Sequence, residues 1–115
     1  MLRITEGRLA VQQGTETLFS DFASDGPMWT GEGQRERRVA VRFATAFRAA
    51  PVVHVALAML DLDGQRNHRT EILAEAIGPA GFEIVFRTWG DSRIARARAS
   101  WLALGEVAAD DLWEV

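Results

Sequence analysis

A chain of 115 residues with 48% hydrophobic side chains has the size of one domain, residues 1–115, and enough apolar mass for a core without metal or disulfide staples. It has no cysteine, which excludes disulfides and thiolate metal sites and sets the expected location as cytoplasmic, or exported without a recognisable signal peptide. With 13 basic against 16 acidic residues the net charge is -3, so the chain as a whole lacks a nucleic-acid footprint, and no apolar run has the length of a membrane span.

In chain order, Leu9 and Val11 precede Gln12-Gln13-Gly14-Thr15, and Thr17, Leu18 and Phe19 follow. That layout predicts a short N-terminal hairpin. From Ser20 to Gln34 the turn formers Ser24-Asp25-Gly26-Pro27 and Gly31-Glu32-Gly33 predict an ordered loop, anchored by Met28 and Trp29. Val39, Val41 and Phe43 alternate with Ala40 and Arg42, and Pro51 opens the run Val52 to Leu60, so two central strands are expected there. The polar stretch from Asp61 to His68 connects to a strand near Thr70 to Ile77, which Gly78-Pro79 and Gly81 end.

The most informative stretch runs from Gly81 to Trp101. Phe82, Ile84 and Phe86 share one face of an extended strand, while Glu83, Val85, Arg87 and Trp89 share the other. Gly90, Asp91 and Ser92 supply turn chemistry before a last strand from about Ile94 to Gly105, so the stretch reads as a β-hairpin with a tryptophan at its exposed corner. A helix competes at Phe43 to Ala50 and at Arg93 to Leu104, where alanine, arginine and leucine are good helix formers. The strand is preferred at the second place, with Ile94, Arg96, Arg98, Ser100, Leu102 and Leu104 on one face and Ala95, Ala97, Ala99, Trp101 and Ala103 on the other. About six strands without a long helix predict an all-β fold, a small antiparallel sandwich.

Several residues invite chemistry. Asp61, Asp63 and Glu71 are possible acid/base carboxylates, yet no nucleophile, phosphate loop or metal motif accompanies them, and a binder rather than an enzyme is expected. The chain has two histidines, and His54 and His68 do not make a ligand cluster, so neither a metal nor a cofactor is expected. Arg93, Arg96 and Arg98 together could attract an anionic partner, but a solvated strand face or salt bridges between subunits are the expected reading.

The ordered set Trp29, Gly31-Glu32-Gly33, Arg35-Glu36, Val41-Arg42-Phe43, Phe47, Pro51-Val52-Val53, Asn67, Arg69, Gly81-Phe82, Thr88-Trp89 and Trp101 resembles the H-type lectin domain, to which snail agglutinins and the discoidin C-terminal domain belong. The likeness spans about residues 29–105 and leaves an N-terminal extension and a short acidic C-terminal tail. It implies a six-stranded antiparallel β-sandwich assembled as a trimer, sometimes stacked into hexamers, with galactose-type or N-acetylgalactosamine sugars bound at clefts between protomers and cell adhesion as the role. The implied carbohydrate-binding residues are Glu32, where well-known members carry aspartate, with Asn67, Arg69 and Trp89, and the turn residues Gly90 and Asp91 beside Trp89 complete the candidate site as its cleft wall. Gly90 replaces a histidine of the snail agglutinin and Ala95 a tyrosine, so two contacts are missing. The alternative that this opens is a structural or attachment trimer with a degenerate sugar site. The tail residues Leu112 and Trp113 are apolar enough to dock on a neighbour.

Overall fold

Period-two alternation of large apolar residues with polar ones produces six strands, which pair into two three-stranded antiparallel sheets facing each other. The computed structural model describes residues 1–4 and 7–108. In chain order the elements are β1 (Arg8–Ser20), α1 (Asp21–Ser24), α2 (Pro27–Thr30), β2 (Arg35–Arg42), β3 (Val52–Leu62), β4 (Thr70–Glu75), β5 (Gly81–Thr88) and β6 (Ile94–Val107). One sheet has the order β1-β6-β3 and the other β2-β5-β4. No helix is long and apolar enough to cross a membrane.

The core lies between the sheets. Phe82, Ile84 and Phe86 of β5 meet Ala97, Ala99, Trp101 and Ala103 of β6 across the sandwich. Small alanines opposite large aromatics let the two layers interdigitate. An aromatic cluster closes one end, where the rings of Phe43, Phe82 and Trp101 have centroids 5.6 to 5.8 Å apart and Phe47 adds an edge contact to Phe43 at 5.0 Å.

Five expectations need correction. The runs at Val39 to Phe43 and Val52 to Leu60, expected as central strands, form β2 and β3 at the sheet edges, with β5 and β6 in the centres, because an apolar run reports packing against the other layer and not the number of paired neighbours. The stretch from Gly81 to Trp101 is not a hairpin, because β5 and β6 lie in opposite sheets and the chain crosses between them at Gly90-Asp91-Ser92. Both strands turn an apolar face to the same core, and alternation cannot tell such a crossover from a paired hairpin. The N-terminal hairpin is absent too: Arg8 to Ser20 is one long edge strand. Gly14 does not turn the chain there. A Cβ at this position would stand 2.8 Å from the indole Nε1 of Trp101, so glycine is needed for close approach. Gln12 donates from Nε2 to the Thr45 carbonyl at 2.7 Å and accepts from the Ala44 N–H at 3.0 Å, holding the β2–β3 connection.

The segment from Ser20 to Gln34 holds two single helical turns rather than only a loop, and Met28 anchors it as expected, at 1% exposure. The buried Asp21 carboxylate accepts the Met28 N–H at 2.9 Å. Ile94, expected on the outer face of its strand, lies in the core, because the register with β3 shifts between Asp61 and Leu62. The competing helix at Phe43 to Ala50 does not form, since the N–H groups of Phe43, Phe47 and Arg48 donate to Ala80, Pro79 and Glu106 instead of to their own segment. Leu112 and Trp113 lie outside the described residues.

Candidate functional site

The crossover between β5 and β6 is where polar chemistry concentrates. Gly90 has φ 70, a conformation that glycine adopts freely, and a Cβ there would stand 2.9 Å from Nη1 of Arg69. The missing side chain is therefore the space into which the Arg69 guanidinium settles, with Nη1 donating to Asp91 Oδ1 at 3.3 Å. The Gly90 carbonyl accepts from the Gly33 N–H at 2.9 Å and from Arg35 Nη2 at 3.2 Å. These bonds draw the Gly31-Glu32-Gly33 loop against the corner.

Beneath the surface two hydroxyls fix the backbone of Arg69. Thr88 Oγ1 donates to the Arg69 carbonyl at 2.6 Å, and Ser92 Oγ accepts the Arg69 N–H at 2.9 Å and donates to the Trp89 carbonyl at 3.0 Å. Both are buried. Burying a hydroxyl is costly unless it is bonded, so these pairings lock the spacing of Arg69 from the corner. Partial desolvation, the largest single influence, pushes the Asp91 carboxyl up. Its own N–H, the Arg69 guanidinium and the Asn67 N–H together outweigh that and hold it below its ordinary value. Arg35 is lowered by desolvation, which the nearby Glu32 carboxylate opposes.

The corner divides two concavities. One, of about 260 Å³, is lined by Trp29, Thr30, Gly31, Glu32, Arg66, Asp91, Ser92 and Arg93. The other, of about 460 Å³, is lined by Gln34, Arg35, Glu36, Arg87, Thr88 and Trp89, with the Trp89 indole 41% exposed. Glu32, Gly90, Asp91 and Arg69 thus share one corner, Asn67 joins through its backbone, and Trp89 faces the adjoining groove. Arg93 builds the far wall. Its guanidinium stacks 4.1 Å from the Trp29 ring centroid, Nε donates to the Trp29 carbonyl at 3.0 Å, and Nη1 reaches Asp63 at 3.5 Å.

Sequence reading missed Thr88, Ser92 and Arg35 as positioning residues, and Arg66 and Arg93 as lining. Thr88 and Ser92 flank the turn, and a hydroxyl on each side of Trp89-Gly90-Asp91 was the available signal. The three possible acid/base carboxylates go to separate partners: Asp61 to Arg96 at 2.9 Å, Asp63 to Arg93, and Glu71 to Arg87 at 3.1 Å. Among the described residues no group of three or more His, Asp or Glu side chains is placed to hold a metal ion. A groove of about 490 Å³ on the outer side of the β1-β6-β3 sheet, lined by residues including Gln13, Thr15, His54, Ser100 and Leu102, carries neither carboxylate nor guanidinium.

The residue pattern of the H-type lectin domain matches residues 38–104, more than half of the chain. Asn67, Arg69, Trp89, Gly90 and Asp91 fall within the match and Glu32 before it. Over 115 residues the chain is 53% identical to the protein called ATP synthase subunits region ORF 7 of Fuscovulum blasticum, covering 100% of this chain and 99% of that protein. Over 75 residues it is 32% identical to a discoidin-1 polypeptide of Dictyostelium discoideum, covering 64% of this chain and 30% of that protein. The recombinant discoidin II of the same organism has a similar structure, with a TM-score of 0.73 at 23% identity, over 90% of this chain and 40% of that one. The chain therefore spans less than half of either discoidin, and the structural likeness is one of fold, the six-stranded all-β sandwich.

Proposed function

Because the chain belongs to the H-type lectin domain family, we propose that it is a carbohydrate-binding lectin module that takes galactose- or N-acetylgalactosamine-type sugars at the Gly90-Asp91 corner and works as a homotrimer with clefts between protomers. The observation that carries this reading is the Gly33 N–H bond to the Gly90 carbonyl, 2.9 Å, which sets the Glu32 and Asp91 carboxylates on one cleft beside Arg69. Carboxylates accept and guanidiniums donate, so the pair matches adjacent sugar hydroxyls, each of which does both. The exposed Trp89 indole gives an apolar platform in the adjoining groove. The corner catalyses no reaction in this reading.

Assembly has support in the outer face of the β1-β6-β3 sheet. Leu9, Val11 and Val52 are 56%, 55% and 50% exposed there, beside Leu102 and Leu104 on the same face. A contiguous apolar sheet face seeks cover, and a second and third copy would supply it. Trimerisation would also gather three shallow sites, raising avidity without new contacts.

A second reading, a structural or attachment trimer with a degenerate site, is favoured by one observation: Arg69 is already paired with Asp91, over a glycine that offers no side chain. A glycan-array scan of protein of measured mass, with Arg69→Ala alongside, tests both. An oligomer that binds galactose-type glycans and loses them on substitution is expected. A trimer that is silent on every glycan would overturn the lectin reading in favour of the structural one.

A further inference from the structure

One cation at the corner is left unused by these contacts. Arg66 lines the cleft of about 260 Å³ with Trp29, Glu32, Asp91 and Arg93, and its guanidinium has no hydrogen-bond or ion-pair partner among the described residues. The neighbouring guanidiniums are committed: Arg35 to the carbonyls of Gly33, Pro27, Met28 and Gly90, Arg69 to Asp91, and Arg93 to Trp29 and Asp63.

The loop that carries Arg66 is braced on both sides. The Asp63 N–H donates to the Arg93 carbonyl at 3.0 Å, Asp63 Oδ1 accepts the Gln65 N–H at 2.9 Å, and on the other side the Arg69 N–H donates to Ser92 Oγ at 2.9 Å. The Cα of Arg66 is therefore fixed at the cleft rim. The cleft lining carries two guanidiniums, Arg66 and Arg93, and two carboxylates, Glu32 and Asp91; Arg93 is bonded to Trp29 and Asp63 and Asp91 to Arg69, so Arg66 is the lining guanidinium open to a ligand.

We propose that Arg66 is a specificity-determining residue that receives an anionic substituent, a carboxylate or a sulfate, on the sugar in this cleft. The proposal rests on the lectin reading and adds the ligand's charge. A guanidinium fork binds a carboxylate or sulfate through two parallel N–H···O bonds, which a neutral hydroxyl does not match. Glu32 across the cleft takes the donor hydroxyls of the same ring, and Arg93, backing Trp29, keeps the wall in place.

The test compares binding of the 115-residue chain to galactose, a sulfated galactose and galacturonate, each presented identically. Wild type is expected to prefer at least one anionic form by about tenfold, the worth of one charge-assisted hydrogen bond, and to lose that preference as salt rises. The arm that shows the preference names the anion. Arg66→Gln should bring the ratio to about one and Arg66→Lys should keep part of it, while Arg42→Gln, exposed on β2 away from the cleft, should leave the ratio unchanged. Equal wild-type binding of neutral and anionic sugars, or a ratio that survives Arg66→Gln, overturns the role of Arg66 and leaves the lectin reading standing. Silence on all three sugars and across the glycan array overturns both.

Discussion

Gly90 matters because its left-handed backbone and its missing Cβ serve the same corner. Gly90→Ala is expected to cost about 1 kcal/mol, since an L-residue strains in that conformation, and to lower the thermal midpoint by roughly 4 °C. The Arg69 guanidinium would swing aside, which weakened binding of any sugar ligand would report. Thr88→Val removes a buried donor from the Arg69 carbonyl and should destabilise by about 1 to 3 kcal/mol in a urea titration. Asp91 gives a signed pH effect. Its carboxyl is held below the unfolded value of 3.8, so its contribution is fully present above that value and is lost as pH falls through the lower folded one. The stability difference between wild type and Asp91→Asn should thus be flat above about pH 5 and shrink below pH 4, a trend that acid unfolding series of the two proteins would show. None of these roles was legible in composition or alternation. Gly90 and Asp91 were selected as turn residues beside an exposed tryptophan, whereas the roles of Thr88 and Ser92 toward Arg69 became visible only once Arg69 was placed between them.

On β5 the alternating pattern assigns Val85 to the outer face of its sheet, yet Val85 is fully buried and does not belong to the core between the sheets. Its cover is ionic. Arg38 bonds Glu36, Glu75 and Glu83, Arg87 bonds Glu36, Glu71 and Glu75, and the cross-strand register sets Arg38, Val85 and Leu73 in one row. The arms of the two arginines roof the valine while their heads stay wet. Hydrogen bonding to Glu36 raises both guanidiniums first, and Arg87, then Arg38, lowers Glu36 in return. Because these pairs are exposed, a double-mutant cycle of Arg87→Ala with Glu36→Ala should give a coupling of only about 0.2 to 1 kcal/mol, smaller still in molar salt. A coupling well above that range would mean that the network, rather than the core, holds this sheet.

For the whole molecule, the two outer faces have opposite characters, one a lattice of arginine and glutamate and the other bearing exposed Leu9, Val11 and Val52. If the apolar face mediates assembly, Val52→Asp should convert the oligomer to monomer in light scattering and abolish multivalent agglutination while leaving binding of a free monosaccharide weak but present. A monomeric wild type would remove the premise.

The sequence by itself determined β2 to β6 and most of their inward faces, because side-chain alternation is a local property of each strand and the core residues Phe82, Ile84, Phe86, Ala97, Ala99 and Trp101 follow from it, whereas β1 read as a hairpin and Ile94 fell on the wrong face. It also held, through the order of its motif residues, the family to which the chain belongs. The tertiary structure alone decided which strands pair. Alternation is identical for a hairpin and for a crossover, and only the closing of two sheets over one core sends β5 and β6 to opposite layers. That same closure brings Gly33 to Gly90 and sets Glu32, Arg66, Arg69 and Asp91 around one corner, contacts between residues far apart in the chain that no local pattern encodes.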